Sequence, residues 1–358
     1  MTNTEEEALL YNIAFSMLDG VAEKQKRAML CYYGSAIAIY NVRKQNKIDW
    51  PIDTAKEEIN FIQKHHIQCF SLTDKHYPDR LFNISDPPLV LYTKGCTQFN
   101  LPQLISIVGT RQHTFQVKKV VQELIAGLAH LQIGIVSGMA LGVDGIAHQL
   151  SLENNIPTWG VLAHGLDTIY PNQHRRLAIK MLNNGGLITE CPQKTITMPY
   201  QFPKRNRIVA GMTDATIVIE SAEEGGSMIT AKLARGYDRE VFAVPGKIHD
   251  AKSKGCLWLI KNNIATMYHD PIHLLENMNW PKAETTHPIT TNSNTVLALS
   301  LSPILQSIYL LIQSQGPIHK DAIAQQLAIA SSELSAHLLS MELNGLIHLQ
   351  AGNLYIIT

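Results

Sequence analysis

Residues 104–144 read LISIVGTRQHTFQVKKVVQELIAGLAHLQIGIVSGMALGVD. Residues 104–108 form a continuous apolar run that stops at Gly109. Residues 117–131 carry apolar side chains at helical spacing, and 134–136 are apolar again before Ser137 and Gly138. Apolar run, glycine turn, amphipathic stretch and apolar run make a strand–helix–strand unit. A strand without polar alternation has both faces covered. The pattern continues, with strands predicted at 158–162, 187–189, 215–219 and 241–244. Helices are predicted at 144–153, 174–182 and 227–235. That order belongs to the α/β class, a parallel sheet layered with helices on both sides.

The flanks read differently. Residues 5–70 suggest small helices, with a stop at Asp19-Gly20, a second apolar stripe over 28–39 and a helix around 56–64. Asp86-Pro87-Pro88 is a rigid extended connection. Residues 281–295, PKAETTHPITTNSNT, read as a linker. Beyond it, helical stretches at 303–315, 318–328 and 331–344 precede a hairpin turning at Ala351-Gly352-Asn353, which is winged-helix order. Ile304, Ile308, Leu311, Ile312, Leu334, Leu338, Leu339, Met341 and Leu343 are its expected core. The expected division is therefore 1–75 helical, 76–280 α/β core, 281–297 linker and 298–358 winged helix.

The 358 residues contain 30 Lys plus Arg against 30 Asp plus Glu, so an overall basic protein is excluded while a local basic stripe is not. No apolar run reaches the roughly 18 residues of a membrane helix, and MTNTEEEALLYN has no basic n-region of a signal peptide. Five scattered cysteines without C-x-x-C fit packing thiols in a reducing cytoplasm. No metal, cofactor or membrane partner is expected.

Four strand ends carry unusual residues. Gly109, Thr110 and Arg111 offer a tight turn, a hydroxyl and a fork that matches phosphate. Ser137 and Gly138 open a second turn; Asp144 and His148 behind it are either a helix cap with a core histidine or an acid–base pair. Residues 171–211 hold Arg175, Arg176, Lys180, Lys194, Lys204, Arg205 and Arg207 against Glu190 alone, a net of +6. Lys204, Arg205, Asn206 and Arg207 are its densest part, with Tyr170, Tyr200 and Phe202 nearby. Cations interleaved with rings suit a single-stranded nucleic acid; a solvated charged face is the alternative. Gly226 and Ser227 open a helix whose free N–H groups would face an anion. The absence of G-x-G-x-x-G disfavours a dinucleotide site. All four segments fall at the carboxyl ends of strands, where open α/β sheets bind ligands.

Residues 106–267 resemble the DNA-processing protein A family, through IVGTR, SGMALGVDGIAH, GLDTIYP, FPKRNRIVAG, GGSMITAKLA and REVFAVPG in the family's order. The resemblance implies an extended Rossmann-like core that binds single-stranded DNA and forms a homodimer. It implies protection of incoming DNA in natural transformation and loading of a RecA-type recombinase. Phe115-Gln116 stands where the family often has Tyr-Gly, and Leu18-Asp19-Gly20-Val21 keeps one glycine of a helix-hairpin-helix turn. Residues 241–244 and 257–260 are the candidates for the dimer face.

No catalytic residue is expected. The enzymatic rival is a nucleotide phosphoribohydrolase of the lysine-decarboxylase-like family, with its P-G-G-x-G-T-x-x-E turn. Here Lys232 stands near where that glutamate would be, and a base is lost. A phosphate-binding signalling module is a second rival. The winged helix is an improbable DNA groove: over 298–358 Lys320 is the only Lys or Arg, against Asp321, Glu333 and Glu342.

Overall fold

A computed structural model describes residues 3–43, 49–282, 303–343, 346–350 and 354–357. The chain divides into two compact units, Met1–Lys282 and Ala283–Thr358.

Four helices open the first unit: α1 (Asn3–Ser16), α2 (Glu23–Tyr33), α3 (Ala36–Arg43) and α4 (Ile52–His65). Their inward faces meet around Ile13, Phe15, Ile39, Trp50, Ile59 and Ile62, with Trp50 stacked on Phe15 at 5.5 Å. The stripe read over 28–39 is split, because Gly34 takes φ 79° and its N–H closes α2 on Leu30 O. A left-handed residue at that position is a common helix stop, and glycine adopts it without strain.

Next come β1 (Gln68–Ser71), α5 (Asp79–Phe82) and β2 (Val90–Gly95). The alternation follows as β3 (Gln103–Val108), α6 (Gln116–Leu128), β4 (Ile133–Ser137), α7 (Val143–Glu153) and β5 (Thr158–Val161). It continues as α8 (Arg175–Met181), β6 (Gly185–Thr189), α9 (Gln201–Gly211), β7 (Ala215–Val218) and α10 (Gly226–Gly236). It closes with β8 (Glu240–Ala243), α11 (Lys254–Lys261), β9 (Thr266–Met267) and α12 (Pro271–Asn277). The strands make one sheet in the order β1-β2-β6-β5-β4-β3-β7-β8-β9. From β6 to β9 every pair is parallel; β1 and β2 are antiparallel additions at one edge.

Adjacent residues of one strand go to opposite layers, which is why the strands read as continuous apolar runs. Leu104 and Val108 pack with Ile208 of α9, Met228 of α10 and Leu259 of α11. Ile105 and Ile107 pack with Val121 and Leu124 of α6 and Ala147 and Leu150 of α7. Each such side chain, fully withdrawn from water, contributes about 1.5–3 kcal/mol. The chain leaves β3 outward through β4, β5 and β6, then returns to the other side of β3 as β7. Connections diverge at that point, so a crevice opens beyond the carboxyl ends of β3 and β7.

Two sequence expectations change here. Strand β8, a candidate for the dimer face, is hydrogen-bonded on both sides, to β7 and β9, and offers no free edge. Residues 201–211, read only as a basic run, are the helix α9.

In the second unit, α13 (Pro303–Gln315), α14 (Lys320–Leu327) and α15 (Ser331–Leu343) accompany a sheet of β10 (Ile318–His319), β11 (Ile347–Gln350) and β12 (Leu354–Ile357), ordered β10-β12-β11. This is the winged-helix arrangement. Ile308, Ile312, Ile323, Leu334, Leu338 and Met341 form its core. Ile304 and Leu339, expected inside, are exposed. Lys320 spends its ammonium on Ser335 Oγ at 2.6 Å. The hairpin turn at 351–353 and the linker beyond Lys282 lie outside the described residues. Among the described residues no helix is long and apolar enough to cross a membrane.

Candidate functional site

The loop after β3 is braced from both sides. Thr110 N–H donates to Glu220 O at 2.8 Å, and Val143 N–H donates to Thr110 O at 3.2 Å. The Glu220 carboxylate accepts Thr114 N–H at 2.9 Å. The loop is thereby tied to the end of β7 and the start of α7. Arg111 leaves this fixed backbone as an exposed side chain. Its guanidinium carbon sits 5.6 Å from the Phe202 ring centroid, and Phe202 lies 6.0 Å from Tyr170. A guanidinium over a ring is held in place without losing its charge.

The turn after β4 requires glycine twice. At Gly142, φ is 85°, and a Cβ would stand 2.3 Å from Thr110 O. At Gly138 a Cβ would stand 2.5 Å from Asp144 Oδ2 and 2.6 Å from Arg205 Nη2. Asp144 is not the cap expected; α7 has no side-chain cap, and Asp144 accepts Ala140 N–H at 3.3 Å from inside the first turn. Burial pushes its carboxyl up to about 6, opposed chiefly by Arg205. His148 is a core histidine, fully buried and bonded to Thr158 Oγ1 and Gly138 O, both at 2.7 Å. Burial lowers its pKa to about 4, so it is neutral at physiological pH.

The turn after β7 leads into α10 through Gly225, whose extended backbone leaves the first N–H groups of α10 free of a side-chain cap. Nothing lies within 4 Å of where a Gly226 Cβ would be. The Ser227 hydroxyl turns back to Ser221 Oγ at 2.8 Å.

These turns enclose one open cleft of about 740 Å³ over the carboxyl ends of β3, β4 and β7. Of the expected residues, Gly109, Thr110, Arg111, Gly138, Arg205, Asn206, Gly226 and Ser227 line it. Four do not. Ser137 is fully buried and donates to Ile107 O at 2.6 Å. Arg207 is 4 % exposed and bonded to Glu190 and to Asp86 O. Lys204 is held by Glu23 of α2 at 2.5 Å. Arg175 is exposed on α8. Arg205 lines the cleft but is only 7 % exposed, donating to Val161 O, so it is a floor rather than a free cation. Reading the sequence missed the brace Glu220, which has no spacing signal, and gave Asp144 a different role from the one it has here. The Tyr170 and Phe202 pair was signalled by aromatics beside the basic run. At the turn where the rival enzyme carries its glutamate, the Lys232 ammonium lies 4.9 Å over the Trp258 ring.

Comparisons with known proteins place the chain in a family. The model of the DNA recombination-mediator protein A family matches residues 68–279, and that of the DprA winged helix domain matches 295–353. Protein Smf of Escherichia coli K12 is 33 % identical over 237 residues, which are 66 % of this chain and 63 % of that protein, less than two thirds of its length. DNA processing protein DprA of Bacillus subtilis is 38 % identical over 203 residues, 56 % of this chain and 68 % of that one. The crystal structure of DprA from Streptococcus pneumoniae superposes with a TM-score of 0.65 at 30 % identity, covering 75 % of this chain and 97 % of that one. A structure describing the single-stranded DNA binding mode of DNA processing protein A from Helicobacter pylori superposes with a TM-score of 0.54 at 28 % identity, covering 60 % and 95 %.

Proposed function

Because this chain belongs to the DNA recombination-mediator protein A family, we propose that the cleft binds single-stranded DNA by its phosphates, without sequence preference. The observation that carries this reading is the convergence on one crevice of three glycine turns, an uncapped helix start and Arg111, which has no ion pair among the described residues. Backbone N–H groups and a guanidinium recognise phosphate whatever the base, and the exposed Tyr170 ring beside Phe202 offers a stacking face. Gly109, Thr110, Arg111, Gly138, Asn206, Gly226 and Ser227 form the proposed contact set. Lys204 joins it at the rim when Glu23 yields to a phosphate. Competition between unlabelled single strands and duplexes of one sequence tests the reading: single strands should displace a labelled strand and duplexes should do so far less. Equal displacement would contradict it.

Asp144 adds a pH dependence. It is anionic above about 6 and neutral below, so acidification removes a negative charge from the cleft and binding tightens. Lowering the pH from about 7.5 to about 5.5 should strengthen binding about threefold through this group. The measurement is the difference between the wild type and Asp144→Asn. An Asp144→Asn profile as steep as the wild type would contradict the assignment.

The wider role extends to relatives' biology: protection of incoming DNA, loading of a RecA-type recombinase, homodimerisation, and the division into 1–75, 76–280, 281–297 and 298–358. The description of the family as recombination mediators supports the recombinase partner. A monomer mass in light scattering at micromolar concentration would contradict the dimer, and unchanged recombinase filament growth on coated DNA would contradict loading. The phosphoribohydrolase reading is disfavoured by Lys232, and release of free base from nucleoside monophosphates would revive it. The winged helix, with Lys320 engaged by Ser335, is proposed to contact protein.

A further inference from the structure

The basic stretch 171–211 is not one surface. Arg205 is buried, Arg207 is bonded to Glu190, Lys204 to Glu23 and Lys194 to Glu57 at 3.1 Å. Its three exposed cations without an ion-pair partner among the described residues are Arg175, Arg176 and Lys180, all on α8. The free charge of this stretch has therefore moved from α9, where the sequence concentrates it, to α8.

Arg176 and Lys180 stand one helical turn apart on one face of α8. That face walls a second groove, about 690 Å³, whose opposite wall is α7. The groove is polar, with amide side chains such as Gln173 and Asn183. Its one carboxylate, Glu153, accepts Gln149 Nε2 at 2.9 Å. Arg111 and Gln112 line the cleft, and the next residue, His113, lines the groove. Tyr170 likewise lines the cleft while Gln173 and His174 line the groove. Gly142 lines the groove without a side chain, and a Cβ there would stand 2.3 Å from Thr110 O and 2.7 Å from Arg111 O, the backbone of the loop that lines the cleft.

We propose that this groove is a second nucleic-acid subsite, which takes the DNA strand as it leaves the cleft over Gly142 and holds its phosphates with Arg176 and Lys180. The proposal rests on the cleft binding single-stranded DNA. A strand crossing there passes the side-chain-free Gly142, then two cations at helical spacing without an ion pair among the described residues, with amides able to bond sugars and base edges. The cleft and groove thus form one continuous path, longer than the cleft alone.

The test is fluorescence anisotropy on the full chain with oligothymidylates of about six and about 20 nucleotides, the shorter matched to a single small site. Arg176→Ala/Lys180→Ala should leave the short oligonucleotide's affinity within about twofold and weaken the long one about tenfold, lowering its salt slope by about 1.4, the value for two phosphates. Glu153→Gln should tighten the long oligonucleotide only. Arg111→Ala should weaken both lengths; if it weakens neither, the cleft reading itself fails. If Arg111→Ala weakens both and the double variant weakens neither, the groove serves another partner, such as an acidic protein segment, and the proposal is overturned. Equal weakening of both lengths by the double variant overturns it too, by putting these cations within the cleft's own footprint.

Discussion

Arg111→Ala should lower the affinity for single-stranded DNA about 10- to 30-fold, equally for all base compositions, and reduce the salt slope by about 0.7. Arg111 is the one cleft-lining cation that is both exposed and free of an ion pair among the described residues. Its backbone is fixed by the bonds through Thr110, Glu220 and Thr114, and Phe202 fixes its head. Little ordering entropy is then lost when a phosphate arrives, and a charge-assisted contact keeps most of its strength. Arg111→Lys should recover part of the loss, because a point charge remains but the fork does not. Stability should change by no more than about 0.5 kcal/mol, since an exposed side chain is removed. Wild-type affinity in Arg111→Ala would remove the centre of the site.

Glu190→Ala should destabilise the first unit by about 3 kcal/mol, with a smaller effect on DNA affinity than on stability. Arg207 is nearly enclosed, with Nη2 on Glu190 Oε2 at 2.5 Å and Nη1 on Asp86 O at 2.5 Å. Glu23 stands 3.7 Å away and Asp86 Oδ2 4.0 Å. One guanidinium therefore joins α9, the end of β6, the segment before β2 and the helical layer at α2. Burial holds the Glu190 carboxyl above its ordinary value even against Arg207, so the pair is costly to assemble. It is costlier to break, because truncating Glu190 leaves a cation with no solvent to turn to. Glu190→Gln keeps an acceptor and should cost less than Glu190→Ala. Urea unfolding midpoints measure the difference, and an unchanged midpoint in Glu190→Ala would contradict this role.

The same cluster explains what the sequence could and could not convey. Strands β3 to β8 are legible because burial on both faces forces apolar runs such as LISIV and ATIVI, and the glycine turns mark where each run stops. The cleft's three walls are legible for that reason. Strand β1, QCFS, is not: an edge strand needs cover on one face, and four residues leave too short a pattern. Helix α9 is hidden by its own composition, since Pro203, Lys204, Arg205 and Arg207 mask the buried face of Ile208 and Val209. The fates of those cations depend on partners far off in the chain: Glu23 is 181 residues from Lys204, and Asp86 is 121 from Arg207. Charge counted along a sequence assigns such residues to solvent, whereas only the fold brings in the carboxylates that neutralise them. The Ser137 side chain belongs to the same class, because its acceptor, Ile107 O, sits on the neighbouring strand.

Hydrogen exchange on the full chain, with and without a saturating single-stranded oligonucleotide, tests most directly whether the strand lies at the β3–β7 crevice. Protection should rise in the peptides covering 109–114, 138–143 and 225–230, which carry the three turns that line the cleft. Protection confined to 303–343 or to the first four helices, with those three turns unchanged, would contradict the account.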